Sequence, residues 1–399
     1  MTKLLRKKLK NGITVIMEKR DLPVVSVSIS NPFGGAFENA EIKGIAHAIE
    51  HLLFTGTKTR THEDISREIE KKGGILNAFT DHEVTSFWFK LPSEHVFTGL
   101  EILSDMLNNP KFDPEKFEKE KKVILEEIKI YHDDPKRAVF EEIEKNLYEP
   151  PFGDLVIGSP KTVSSLKRDF TLDLFKNNYN PSNFIVTIVG NADFDKVCSF
   201  LEKKFKAGKN VPEPLPIKTR NFEVIEERSG VDQANFVLAM HAPLPADKKH
   251  RVLEVLNSYL ADGMSSRLFL EIREKRGLAY TVSGTIMTGK NYCFYAIYAG
   301  TTKEAVSQVK KLILEEFEKI KDMNEENLKE AKETLIGYRK ISSEESSNVM
   351  NHLLYHELFT KAEDYYNYEN EVNQVKLEDV KKLASQIIKK YSTAAIVPK

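Results

Sequence analysis

The sequence predicts an α+β protein of two homologous domains, each a mixed β-sheet covered by helices mainly on one face. Three observations predict it. The chain has 399 residues, more than one hydrophobic core ordinarily serves. The run Ala207-Gly208-Lys209-Asn210-Val211-Pro212-Glu213-Pro214-Leu215-Pro216 breaks both helix and strand and reads as a stiff linker. On either side of it the same succession of strand and helix patterns recurs, as in a divergent repeat. The expected domains are 1–210 and 219–399, with 207–219 as the linker.

In the first half, apolar alternation places strands near 12–18 and 24–31. A helix follows, because Ile42, Ile45, Ala46, Ile49, Leu52 and Leu53 form one apolar stripe at helical spacing. Gly44 lies at its start and Gly56 offers a stop. A hairpin is expected near 75–91, then helices from about 94 to 147. One of these spans 112–132: Asp113 suits its N-cap, Pro114 its first turn, and Pro135 its end. Phe117, Ile124 and Ile128 define its buried line. A further helix and a strand at 184–190 close this half. The second half repeats the order, with strands near 222–227 and 234–240 and a helix at 248–260. A hairpin at 280–299 turns at Gly289-Lys290-Asn291, and long helices lead to a last strand near 393–397.

Composition removes several function classes. A net charge of −1 gives no basic footprint for nucleic acid. No run of 18 apolar residues exists, so no membrane-spanning helix is expected. The first eight residues are basic but lack the apolar stretch of a secretory signal. Cys198 and Cys293 have no metal-binding spacing and read as reduced, buried thiols of a cytoplasmic protein.

The most informative stretch is His47-Ala48-Ile49-Glu50-His51, which reads H-x-x-E-H. On a helix these three polar residues share an arc apart from the apolar stripe. Histidines four residues apart can grip one Zn²⁺, with Glu50 placed to take a proton from water. The plainer reading is a solvated helix face with two ordinary histidines. A catalytic zinc site also needs a third protein ligand and an open fourth position. On the 112–132 helix, Glu120 and Glu127 stand two turns apart on one flank, whereas Glu126 points about 180° from the line of Phe117. The helix therefore aims Glu127, not Glu126, inward. On so lysine-rich a helix, the pair also reads as rim charges.

These residues carry a resemblance to the family of pitrilysin, insulin-degrading enzyme and mitochondrial processing peptidase. Glu127 matches that family's third zinc ligand and Glu120 its second, assisting glutamate. Gly74-Ile75-Leu76-Asn77-Ala78-Phe79-Thr80 matches its substrate strand. Ser265-Ser266-Arg267-Leu268 and Arg273-Glu274-Lys275-Arg276-Gly277-Leu278-Ala279-Tyr280 match its second homologous domain. The length is similar to that of the short bacterial processing-peptidase type. The resemblance implies a zinc metalloendopeptidase with one Zn²⁺ per chain, held by His47, His51 and Glu127. It implies that Glu50 is the base, that Asn77, Ala78 and Phe79 bind peptide, and that Arg273 and Tyr280 face the site from the second domain. It further implies a homodimer, or a heterodimer with a related subunit, enclosing a chamber that admits small or unfolded peptides. The sequence departs from the family's glycine-rich loop, having only Ala261-Asp262-Gly263-Met264. The rival functions are a catalytically inactive subunit or scaffold of the same fold, and a structural zinc protein.

The second half should lack the metal chemistry. Matching 47–56 to 254–263 puts Glu254, Asn257 and Ser258 in place of His47, Glu50 and His51. Matching 112–127 to 323–338 puts Ala331 and Tyr338 in place of Glu120 and Glu127. His82, His95 and His132 lack ligand spacing and are expected at the surface.

Overall fold

The computed structural model describes residues 3–208 and 212–399; residues 209–211 of the expected linker lie outside the described residues. The chain forms two compact units. One comprises Met1–Ile128, Asp154–Pro216 and Ser342–Tyr365; the other comprises Lys129–Gly153, Ile217–Ile341 and Tyr366–Lys399.

The first unit is built on a six-stranded sheet. Its strands are β1 (Lys3–Lys8), β2 (Thr14–Lys19), β3 (Val24–Asn31), β4 (Ile75–Thr80), β5 (Thr85–Pro92) and β6 (Ile185–Gly190), in the order β1-β2-β6-β3-β5-β4. Only β2 and β6 pair in parallel. The two-residue period of β3 separates its faces. Val25, Val27 and Ile29 lie on one face with Phe87 and Phe89 of β5, all buried. The helices Ile45–Phe54 and Val96–Asn108 pack on this side. Ser26, Ser28 and Ser30 line the other face and are equally buried. Their hydroxyls find partners: Ser28 meets Thr187 at 2.5 Å, Ser30 meets Ser86 at 2.8 Å, and Ser26 meets Ser346 at 2.9 Å. Ser346 opens the helix Ser346–Phe359, whose Val349, Met350, Leu353 and Leu354 bury Ile16, Ile185 and Val189.

The second unit repeats the plan. Its strands are β7 (Glu223–Arg228), β8 (Ala234–His241), β9 (Ala279–Thr288), β10 (Cys293–Thr301) and β11 (Ser392–Pro398), in the order β7-β11-β8-β10-β9. This is the first sheet's order without β1, and again one pair, β7 with β11, is parallel. Phe236, Tyr295 and Ile297 share a core with Leu253, Leu256, Ile313 and Leu383 from three helices. The opposite face carries the helix Pro135–Leu147. Phe140 stacks on Tyr298 with centroids 5.9 Å apart, and Asn146 Nδ2 donates to the Thr393 carbonyl at 3.1 Å.

The fold class and the repeat are as the sequence predicts, with two differences. β1 was not expected; its Lys-rich sequence suits an outermost strand. Each sheet also carries one helix on its second face, beside the helices that cover the first. Those helices come from the other half of the sequence, so the compact units do not follow a single cut at the linker. An apolar stripe shows that a helix is buried, not which sheet buries it. Cys198 and Cys293 are free and buried. No helix among the described residues is long and apolar enough to cross a membrane.

Candidate metal centre and active site

The motif helix Ile45–Phe54 starts on Gly44, whose φ of +97° is open to glycine. A side chain there would also meet the Ile157 carbonyl at 2.7 Å. No adjacent side chain caps the helix. Instead the fully buried carboxylate of Glu38 accepts from Gly44 N at 3.0 Å and Ala46 N at 2.7 Å. Burial pushes the Glu38 carboxyl up, against the opposing pull of Lys43 and these two amides. Lys43 is itself buried and donates through Nζ to the Gly35 carbonyl at 2.8 Å. His82 is buried here too, not at the surface as expected. It follows the β4 end and its carbonyl accepts from Ala36 N at 2.7 Å, which ties it to the turn before the motif helix.

Ile45, Ile49, Leu52 and Leu53 fill the core, which turns His47, Glu50 and His51 together along the other arc. The long helix Pro114–Asp133 supplies the facing carboxylates. Asp113 accepts from Glu115 N and Lys116 N at its start, and Phe117 and Ile124 are buried. That rotation leaves Glu126 exposed and turns Glu127 toward the histidines. Glu127 Oε2 lies 3.8 Å from His47 Nε2 and 3.4 Å from His51 Nε2, and Glu120 Oε2 lies 3.4 Å from His51 Nδ1.

His47, His51 and Glu127 offer three ligand atoms within 4.8 Å of one another. Tetrahedral ligands on bonds of about 2.0–2.1 Å stand roughly 3.3 Å apart, so the donor set and its spacing fit one Zn²⁺. Among the described residues this is the one such group. Burial alone would push the His51 imidazole down. Hydrogen bonds to Glu120 and Glu127, with the charges of Glu50 and Glu127, raise it instead to about 9.

Glu50 is not among the three. Thr80 Oγ1 donates to its Oε2 at 2.5 Å. Burial raises the Glu50 carboxyl; the Thr80 bond and His51 oppose the shift, and Glu127 adds to it. A cleft of about 690 Å³ opens beside Glu50, His51 and Glu120, lined also by Phe54, Asn77 and Lys119. β4, which carries Asn77, Ala78 and Phe79, is the outermost strand of its sheet. Arg273 and Tyr280 lie in the second unit. The Arg273 guanidinium sits 5.5 Å from the Tyr280 ring and 4.7 Å from that of Phe269, and Tyr280 is 75% exposed.

Among the described residues, the equivalent place in the second unit gathers no such group. Ser258 Oγ donates to the Ala331 carbonyl at 3.0 Å, the counterpart of the His51–Glu120 contact. Glu254 is paired with Arg251, which also binds Glu371. Sequence reasoning named every member of the histidine–carboxylate group but missed the roles of Glu38 and Thr80. Glu38 lies outside the helix, so no helical period connects it to Ala46. Thr80 lies inside a strand whose pattern reports sheet packing.

Two family models match the chain. That described as insulinase, peptidase family M16, covers residues 14–157, and the peptidase M16 inactive domain covers 165–335. A Rickettsia felis protein named as an uncharacterized zinc protease is 30% identical over 402 residues, covering 98% of this chain and 96% of its own. The Bacillus subtilis uncharacterized zinc protease YmxG is 30% identical over 396 residues, covering 97% of each chain. Among solved structures, a protease from Helicobacter pylori has a TM-score of 0.93 at 21% identity, covering 100% of both chains. A Pseudomonas fluorescens protein described as a peptidase M16 inactive domain has a TM-score of 0.87 at 17% identity, covering 100% of this chain and 98% of that one. Both structural likenesses speak to the fold.

Proposed function

The chain belongs to the insulinase family of M16 peptidases, and from that premise we propose that it is a zinc metalloendopeptidase acting on small or unfolded peptides. The observation that carries this is the convergence of His47, His51 and Glu127, with Glu50 beside them. His47, His51 and Glu127 are the residues that would hold the metal. The zinc, when bound, acidifies water and polarises the scissile carbonyl. Glu50 takes the proton from the attacking water and returns it to the leaving amine. In the metal-free protein, burial raises the Glu50 carboxyl.

Glu120 holds His51 through Nδ1, fixing which nitrogen faces the metal. The outer edge of β4 at Asn77, Ala78 and Phe79 takes the peptide as an added strand, bound through main-chain hydrogen bonds with little demand on sequence. Arg273 and Tyr280 complete the site as donors to the developing oxyanion, supplied by the partner chain of a homodimer. A heterodimer with a related subunit would serve equally. A chamber between two chains would exclude folded proteins. Free, buried Cys198 and Cys293 suit a reducing cytoplasm. The rival reading, an inactive subunit or scaffold, draws on the inactive-domain model. That model matches the half without the motif, whereas the first half holds the complete set.

The test is hydrolysis of a quenched-fluorescence peptide library. A chelator should abolish cleavage and added Zn²⁺ should restore it. Cleavage that persists after thorough metal removal would sink the proposal.

A further inference from the structure

The carboxylate of Glu50 has a partner outside the H-x-x-E-H motif. Thr80 is the last residue of β4, on the face turned toward the motif helix, and its hydroxyl donates to Glu50 Oε2 at 2.5 Å. Thr80 has one proton to give. Its cross-strand neighbour Thr85 is 3.5 Å away and gives its own proton to the Phe33 carbonyl at 2.9 Å, so the Thr80 proton goes to the carboxylate. A hydroxyl donating to an ionised carboxylate makes a short, directional bond.

The turn beyond Thr80 is tightly held. Asp81 Oδ1 accepts from Glu83 N at 2.7 Å and Val84 N at 2.8 Å. Its Oδ2 accepts from the Tyr355 hydroxyl at 2.6 Å. The Tyr355 ring also stacks on Phe79, with centroids 6.4 Å apart and planes at 27°. Tyr355 stands on the helix Ser346–Phe359. Both neighbours of Thr80 in sequence are therefore fixed by one side chain.

We propose that Thr80 is a positioning residue that orients Glu50, and that Tyr355 holds Thr80 in place through Phe79 and Asp81. Engaging Oε2 leaves Oε1 as the oxygen that exchanges protons with water. The inference rests on the reading of Glu50 as the base. It is distinct from a peptide-binding role for β4, which would show in KM.

The test uses the zinc-loaded full-length protein with Thr80→Val, Thr80→Ser and Tyr355→Phe. Valine keeps the volume and the β-branch of threonine and removes only the donor. Misplacing a reacting group by about 1 Å costs up to roughly 100-fold, so Thr80→Val should lower kcat about 10- to 100-fold. KM and zinc content should match the wild type, because the peptide-binding residues Asn77, Ala78 and Phe79 and the metal ligands are unaltered. Thr80→Ser should restore most of the rate. Tyr355→Phe keeps the ring stack and loses the hydroxyl, so its kcat should fall by a smaller factor, about 3- to 10-fold.

Crystal structures of the zinc-loaded wild type and Thr80→Val give a readout that needs no activity: the Glu50 carboxylate should leave its wild-type position in the variant. Wild-type kcat in Thr80→Val, a change confined to KM, or an unmoved Glu50 carboxylate would each overturn the proposal. If the wild type cleaves no peptide, the reading of Glu50 as base fails, and the crystallographic comparison still decides whether Thr80 positions it.

Discussion

Replacing Glu38 by glutamine should unfold the metal helix's support without touching a ligand. Both carboxylate oxygens are in use, one on Gly44 N and one on Ala46 N, and the group is fully buried beside Lys43. Glutamine has one accepting oxygen, so its NH₂ must face one of two backbone N–H groups, donor against donor. The positive charge of Lys43 also loses its counter-charge. Leaving that buried N–H unpaired and removing the opposite charge whose field reaches Lys43 together cost about 3–5 kcal/mol. At roughly 2–4 °C per kcal/mol for a unit near 200 residues, the melting temperature should fall by about 6–20 °C. Circular dichroism melts of metal-free protein measure this. Because His47 directly follows Ala46, zinc affinity by chelator competition should fall as well. Adding Lys43→Met to Glu38→Gln removes the stranded charge and should recover about half of the loss. A Glu38→Gln melt within about 2 °C of wild type would refute the reasoning.

Other outcomes follow from the same geometry. Glu50→Gln should keep its zinc and lose about 10²- to 10⁴-fold in kcat, measured beside elemental analysis of the same sample. Metal-free His51, raised to about 9, carries a proton at neutral pH. Zinc must displace that proton, so zinc affinity should weaken about tenfold per unit as pH falls below 9 and level off above it. Competition with a chelator of known affinity reads this, and a flat profile from pH 7 to 9 would contradict it. Mixing inactive His47→Ala chains with inactive Tyr280→Phe chains should return part of the activity if sites form across a dimer. No recovery would place each site within one chain.

Much of this was legible because it follows helical geometry. The His47–Glu50–His51 arc and the choice of Glu127 over Glu126 follow from 100° per residue, and the structure turns Glu126 outward and Glu127 toward the histidines. The repeat was legible as well: Ser258 and Ala331, matched in sequence to His51 and Glu120, meet in a hydrogen bond at 3.0 Å. What stayed hidden depends on contacts distant in sequence. The exchange of the helices Pro135–Leu147 and Ser346–Phe359 is one case, since a stripe does not name the surface it covers. Glu38 reaching back to cap the motif helix is another. Burial of His82 is a third, because an isolated histidine in a turn shows no pattern.

The most direct measurement is zinc per chain and peptide cleavage on the same preparations of wild type, His47→Ala, Glu127→Ala and Glu126→Ala. Zinc near one per chain in wild type and Glu126→Ala, falling together with cleavage in His47→Ala and Glu127→Ala, is the expected result. Loss of zinc in Glu126→Ala but not in Glu127→Ala, or cleavage that does not follow zinc, would contradict it.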